Sequence, residues 1–503
     1  MNAPTAAQDL AQAPLRTEHF DVLIVGAGIS GVGSAFHLQT QCPDKSYVVL
    51  ESQTSFGGTW HTHRYPGVRS DSDLYTFGYR FKPWMGKPIA TAAEILSYMG
   101  EVIEENDLAR HIRYRHRITA ASWSTADSLW TVDATRLDTG EPLRFTTRFL
   151  WMCQGYYRHD QGYLPEWPGM QDFEGPLIHA QTWPDDLDVR GKRVVVIGSG
   201  ATAVPGLARL GAQVTMLQRS PTFFVSGRNS NDLANELRRL EIDPAWIHAI
   251  VRKKVLMDSA LFDRRSREEP ELVRTELLEG VHKQLAGACE LDPHFTPRYR
   301  PWQQRVAFIP DGDLFEEIRN GHATVVTDEI ERFTQDGIAL KSGERLDADI
   351  VVAATGFRLS VLGGIPFTVD GRPLDFASTV TYRGMMFTGV PNLAWVFGYF
   401  RASWTLRADM VADFVCRLLG HMDAVGATRV VPRLRPHEQD MPLGSWIAAD
   451  NFNPGYLLRD MHLMPQSGNT REWQHTQDYW GEKDEFPAID LTDEVFAYDF
   501  KQP

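Results

Sequence analysis

Two glycine-rich turns, each preceded by a short apolar run, constrain the fold of this 503-residue chain more than any other feature. The first, Gly26-x-Gly28-x-x-Gly31, follows Asp21-Val22-Leu23-Ile24-Val25; the second, Gly198-x-Gly200-x-x-Ala203, follows Arg193 to Ile197. Each lies where a buried parallel strand would feed a helix, Ile29 to Leu38 in the first case. Glycine at the first two positions permits a tight turn and lets a pyrophosphate approach the backbone at the positive end of the helix. The third position needs only a small side chain for helix packing, which Ala203 supplies. The pattern predicts an α/β chain with two Rossmann-like dinucleotide-binding domains.

The strands that follow the turns differ in how they end. Tyr47 to Leu50 delivers Glu51, whose carboxylate can accept hydrogen bonds from a ribose diol. Val214 to Leu217 ends instead in Gln218-Arg219-Ser220. A carboxylate there would repel the 2′-phosphate of NADP, whereas the guanidinium of Arg219 can pair with it through two charge-assisted hydrogen bonds. The first unit is therefore expected to hold FAD and the second NADP(H).

At this length the chain exceeds one ordinary domain. Residues 1–18 read as a flexible tail, 19–155 and 360–503 as the FAD-binding domain, and 156–172 as a linker marked by Pro165, Pro168 and Gly169. Residues 173–223 and 321–359 read as the NADP-binding domain, interrupted by a helical insertion over 224–320. Thr91-x-x-Glu94 is a capping box opening a helix with Leu96, Met99, Val102 and Ile103 on one face, and another helix is expected near Arg407 to Met422.

A net charge of -14 argues against nucleic acid or an anionic membrane as the general partner, so any positive surface must be local. Cys42, Cys153, Cys289 and Cys416 form no close pair, which excludes a zinc knuckle and dithiol reductase chemistry. His61-x-His63 has no further ligands at metal spacing, so no metal is expected. No run is long enough to span a bilayer and no signal-peptide core is evident, so the expected location is the cytoplasm.

Two longer motifs add chemistry. Phe173-x-Gly175-x-x-x-His179-x-x-x-Trp183-Pro184 precedes the second glycine turn. Gly57-Gly58-Thr59-Trp60 is followed after four residues by Tyr65-Pro66-Gly67 and after three more by Asp71. With these residues the chain resembles the class B flavin monooxygenases, within them the type I Baeyer-Villiger group close to the ethionamide-activating branch. Trp183 stands where the amine-oxidising members usually carry Tyr or Phe. The same branch is resembled by Arg69 to Asp73, Tyr79 to Trp84, Trp302-Gln303-Gln304-Arg305 before Pro310 to Asp313, and Gly398-Tyr399 leading to Ala402 to Leu406.

That resemblance implies NADPH, dioxygen and a small apolar ketone or sulfide as reactants. It implies insertion of oxygen into a ketone through a C4a-peroxyflavin, with S- or N-oxygenation as the alternative and a non-oxygenating redox sensor as a remote one. Arg305 would lie against the flavin and stabilise the peroxide anion, Asp71 would orient it, and Gly58, Thr59 and Trp60 would contact the cofactor. Phe173, Gly175, His179 and Trp183 would serve the hinge between domains rather than proton transfer. Gln304 stands where many relatives carry lysine, which leaves the preference for NADPH to Arg219. The substrate pocket is expected from the helical insertion, Tyr399 to Trp404 and loops near Met441 to Phe452.

Overall fold

The structure, a computed structural model, describes residues 16–448 and 452–500. Of the expected tail, residues 1–15 lie outside the described residues. Its last two residues are not tail, because the opening strand β1 (Thr17–Val25) begins earlier than expected. Thr17 and Glu18 pair with Arg144 and Phe145, and Glu18 accepts two hydrogen bonds from Arg113 at 2.7 and 2.8 Å. This pairing overrides the polar composition that suggested a free end.

β1 lies between two parallel neighbours, β2 (Tyr47–Leu50) and β6 (Pro142–Met152). Val22, Leu23 and Ile24 are fully buried, each contributing about 1.5–3 kcal/mol of hydrophobic stabilisation. β3 (Ile112–Arg113) extends the sheet beyond β2, while β4 (His116–Ser124) and β5 (Leu129–Arg136) run antiparallel beyond β6. One face is covered by α1 (Ile29–Gln41), which follows the first glycine turn. Three further helices precede β3: α2 (Thr59–Thr62), α3 (Leu74–Phe77) and α4 (Ala92–Glu105). The capping box of α4 forms as expected, Thr91 accepting from the Glu94 amide and Glu94 from the Thr91 amide.

The second sheet is wholly parallel, in the order Ala323–Thr327, Gln213–Gln218, Arg193–Ile197, Ile350–Ala353, Leu177–His179. In chain order we label its first strands β7 (Leu177–His179), β8 (Arg193–Ile197) and β9 (Gln213–Gln218). α5 (Ala203–Arg209) follows the second glycine turn.

The segment 224–320 is not helical throughout. It opens with β10 (Phe224–Gly227), which pairs in parallel with β11 (Ala307–Pro310). Between them run α6 (Asp232–Arg239), α7 (Pro244–Glu268) and α8 (Pro270–Leu285). α9 (Asp313–Arg319) buries Leu314, Phe315 and Ile318 in the core beneath the second sheet, so burial attaches it to the nucleotide unit.

The outgoing and returning crossings run side by side: Arg158 donates to the Arg358 carbonyl at 2.9 Å, Tyr163 to that of Gly356 at 3.0 Å, and Ser360 to that of Tyr156 at 2.9 Å. The returning chain adds Phe367–Val369 to the first sheet beside β4, and α10 (Trp404–Val425) packs on α1. Among the described residues no helix is long and apolar enough to cross a membrane.

Candidate active site

Both glycine turns take the conformation their spacing requires. Gly26 (φ +96°) and Gly198 (φ +124°) adopt backbone angles that favour glycine, and each presses on the carbonyl of an adjacent strand end. A Cβ would lie 2.9 Å from the Cys153 oxygen in the first case and 2.4 Å from the Ala354 oxygen in the second. Gly200 is left-handed too (φ +49°), while Ala203 is buried at the start of α5.

A cavity of about 1160 Å³ opens over the first turn. Gly26, Gly28, Glu51, Gly58, Thr59 and Trp60 line it, as do Asp71 and Arg305. Gly28 faces Gly58 with no side chain between them: a Cβ on Gly58 (φ +53°) would come within 3.0 Å of the Gly28 Cα. This bare-backbone cleft fits the pyrophosphate of FAD. Glu51 is buried and accepts hydrogen bonds from the amides of Ala27 and Gln53, both at 2.7 Å. Its carboxylate braces the turn and retains lone pairs for a ribose. Gly31 is not exposed to a ligand; it lies against the Gly26 carbonyl and lets α1 approach the turn.

Asp71 and Arg305, 234 residues apart in sequence, meet in a two-point pair, Nε to Oδ2 at 2.7 Å and Nη2 to Oδ1 at 3.2 Å. Asp71 comes from the loop before α3, and Arg305 from the strand approach to β11. Their side chains are 40% and 46% exposed, Arg305 the less, and that surface faces the cavity. Burial acts to lower the Arg305 pKa, but the Asp71 carboxylate, with Tyr456 and Tyr156, outweighs it and raises the value. A pair this open adds about 1 kcal/mol or less to stability. The pair sets a positive charge at the cavity wall.

The second site is more open. Arg219 is exposed at the end of β9, as the strand pattern predicts, with Glu329 close enough to feel its charge. Neither Arg219 nor Gly198, Gly200 and Ala203 belongs to the wall of the large cavity. Gln218 is turned inward, its amide donating to the His294 carbonyl at 2.6 Å.

The Phe173 to Pro184 motif forms the edge of the second sheet. Phe173 is buried, and Gly175 fits against the Asp349 carbonyl, 2.5 Å from where its Cβ would be. His179 ends β7, caps the following turn by accepting from the Gln181 amide at 3.1 Å, and packs on Gly162 of the crossing, where a Cβ would overlap its ring. Burial lowers the His179 pKa, favouring a neutral ring. Trp183 is half-buried against the second core. None of the four lines the cavity.

Comparison with known proteins is consistent with this geometry. An NAD(P)-binding Rossmann-like domain profile matches residues 24–83, and a flavin-binding monooxygenase-like profile matches residues 87–235. FAD-containing monooxygenase EthA of Mycobacterium tuberculosis is 47% identical over 469 residues, covering 92% of this chain and 94% of its own. Probable FAD-binding monooxygenase AlmA of Acinetobacter baylyi is 42% identical, covering 96% and 97%. The chain belongs to the class B flavin-dependent monooxygenases. In fold it is similar to steroid monooxygenase (TM-score 0.74, 23% identity, 95% of this chain and 99% of that one) and to closed cyclohexanone monooxygenase (0.73, 19%, 97% and 100%).

Within this class B monooxygenase, several contacts at the site are not legible in the sequence, even where a motif names the residue. The Tyr65-Pro66-Gly67 step joins the two nucleotide units: Tyr65 bonds the Thr202 hydroxyl at 3.0 Å, and Gly67 (φ +84°) lies where a Cβ would be 2.5 Å from the Thr202 carbonyl. Arg69 binds Asp313 of α9 through two contacts, at 2.5 and 3.0 Å, nearly out of solvent. Tyr157 meets the Thr59 hydroxyl at 2.7 Å. Tyr156 lines the cavity and stacks on Trp404, whose Nε1 donates to Ser30 at 2.8 Å. Of the expected pocket segments, Trp404 lines the cavity, whereas 224–304 does not, and in 441–452 no described residue does. Phe452 instead stacks behind, on Phe400. Gly155 ending β6's exit could have flagged Tyr156 and Tyr157 as turn-adjacent, but pocket membership is a tertiary property.

Proposed function

We propose that this enzyme is a cytoplasmic, NADPH- and dioxygen-dependent Baeyer-Villiger monooxygenase that inserts one oxygen atom into a small apolar ketone to give an ester or lactone. The observation that carries this reading is the Asp71–Arg305 pair at the wall of the cavity that Gly28 and Gly58 open. Gly26, Gly28, Glu51, Gly58, Thr59 and Trp60 hold FAD, and Gly198, Gly200, Ala203 and Arg219 hold NADP(H). Bound FAD supplies reductive activation of dioxygen. Arg305 supplies a permanent positive charge where negative charge develops on oxygen, and Asp71 keeps its guanidinium in one plane through two hydrogen bonds. His179, packed against the crossing, and Trp183, packed on the core of the second unit, adjust the nucleotide units between the two halves of the cycle. The similar folds of cyclohexanone and steroid monooxygenases support a ketone substrate.

Oxygen transfer to a sulfide or amine is the second reading. It is supported by the resemblance of Arg69 to Asp73, Tyr79 to Trp84 and Gly398 to Leu406 to the ethionamide-activating branch, and the solved structures named for ketones are only 19–23% identical. A product screen by mass spectrometry, with linear, cyclic and aryl ketones beside sulfides, separates the two. In the same screen Arg305→Ala is expected to retain FAD yet lose about 10²–10³-fold in ester formation, the scale for removing one fixed charge-stabilising donor. Arg305→Lys rescues poorly, because a point charge on a flexible stem cannot keep both contacts to Asp71. Near wild-type ester formation by Arg305→Ala removes Arg305 from the chemistry.

A further inference from the structure

Cys42 and Cys416, 374 residues apart in sequence, meet where α1 packs along α10. Three polar pairs fix the register of these helices. Trp404 donates to Ser30 at 2.8 Å, His37 meets Asp409 at 2.9 Å out of solvent, and Gln41 donates to Asp413 at 2.9 Å. The cysteines are the next step along the same seam. Cys42 Sγ lies 3.6 Å from the Cys416 carbonyl oxygen, and the two thiols share a hydrogen bond. Neither is in a disulfide, and neither lines the cavity.

The two sulfurs differ. Cys42 caps the end of α1 and is only partly buried, whereas Cys416 is enclosed in the core between the helices. The hydrogen bond from Cys416, with Lys45 adding its charge, lowers the Cys42 pKa. The same bond, and then burial, raise that of Cys416. An accessible sulfur with thiolate character beside a protonated one is the arrangement of an attacking and a resolving cysteine.

We propose that Cys42 and Cys416 form a peroxide-reactive dithiol whose closure to a disulfide clamps α1 to α10. The Cys42 thiolate attacks one oxygen of hydrogen peroxide and the O–O bond breaks. Cys42 becomes a sulfenic acid, and the departing hydroxide takes up a proton from solvent as water. The Cys416 sulfur then attacks the Cys42 sulfur: the S–S bond forms, the S–O bond breaks, and the hydroxyl leaves with the Cys416 proton as a second water. The two sulfurs give up two electrons and the peroxide takes them. Hydrogen peroxide is the product of two-electron reduction of dioxygen, so a monooxygenase that fails to transfer oxygen generates it. The glycine turn opens α1, and Trp404 of the cavity wall opens α10, so the clamp ties together the two helices that lead away from the cavity. Because the fold alone brings the two sulfurs together, the reaction needs α1 and α10 docked, and it does not depend on which substrate is oxygenated.

The test is titration of the full-length, FAD-loaded protein with hydrogen peroxide, read by non-reducing peptide mapping with mass spectrometry and by thermal unfolding. A linked peptide pair carrying Cys42 and Cys416 is expected before any oxidation of Cys153 or Cys289, whose pKa values burial raises, and dithiothreitol reverses it. The link closes a loop of several hundred residues, so the unfolding midpoint rises by about 3–7 °C. Cys42→Ser, at a partly exposed position outside the cavity, keeps its FAD and loses both the link and the rise. In Cys416→Ala the reaction stops at the sulfenic acid, so dimedone labels Cys42. Oxidation of Cys289 ahead of the pair, a wild-type Cys42 that resists peroxide or passes to the sulfinic acid unlinked, or a link between two copies overturns the proposal. A Cys42–Cys416 link that leaves the midpoint unchanged overturns the clamp.

Discussion

Replacing Gly31 by alanine tests whether the first turn holds FAD through its backbone. A methyl at this position would lie 1.8 Å from the Gly26 carbonyl oxygen and 2.9 Å from its carbon. Contacts below 3.0 Å are not tolerated, so turn and helix must separate by about 1.2 Å, and a close-packed interior absorbs little of that. Displacement of this size takes amide donors from about 2.9 Å to beyond the 3.5 Å limit of a useful hydrogen bond. Losing two hydrogen bonds to a charged diphosphate costs about 3–6 kcal/mol, or roughly 10²–10⁴-fold in the Kd for FAD. The second unit supplies the control, since Ala203 occupies the same position there without strain. Ala203→Gly should leave FAD binding intact and cost about 1 kcal/mol of helix stability. Flavin-to-protein absorbance ratios and titration of deflavinated protein give both numbers. A Gly31→Ala protein purified with full FAD and wild-type affinity would refute the argument.

Arg219→Ala should raise the KM for NADPH by about 10–100-fold and that for NADH little, because one charge-assisted pair to the 2′-phosphate is worth about 1.5–3 kcal/mol; equal effects would remove Arg219 from the phosphate site. Asp73 caps α3 by accepting from the Tyr75 amide at 2.8 Å, and burial pushes its pKa up to about 6. Because that lies above the unfolded value near 4, the group favours the fold most below about pH 4, and this contribution is lost as pH rises through 6. Asp73→Asn, which keeps the cap without the charge, should therefore stabilise the protein by about 1–3 kcal/mol at pH 8 and by little at pH 4; melting curves showing the same shift at both values would contradict it.

The sequence by itself determined whatever depends on neighbours along the chain. The strand, turn, helix and strand around each glycine motif, the capping box at Thr91, and the acid or arginine ending the next strand all depend on local spacing, and the structure follows them within about four residues. Thr17 and Glu18 eluded this reading because their strand partners lie more than a hundred residues away. β10 and β11 eluded it for the same reason: each is too short to be read without the other. Asp71 and Arg305 could be named from motif resemblance, but only packing shows that a loop of the first unit and the approach to β11 meet at 2.7 Å beside a cavity. Tyr156 and Trp404 become cavity wall, and Tyr65 and Gly67 become the junction with α5. Those outcomes depend on which surfaces the two sheets and their crossings bury together, and burial is summed over the whole chain rather than written in any one segment.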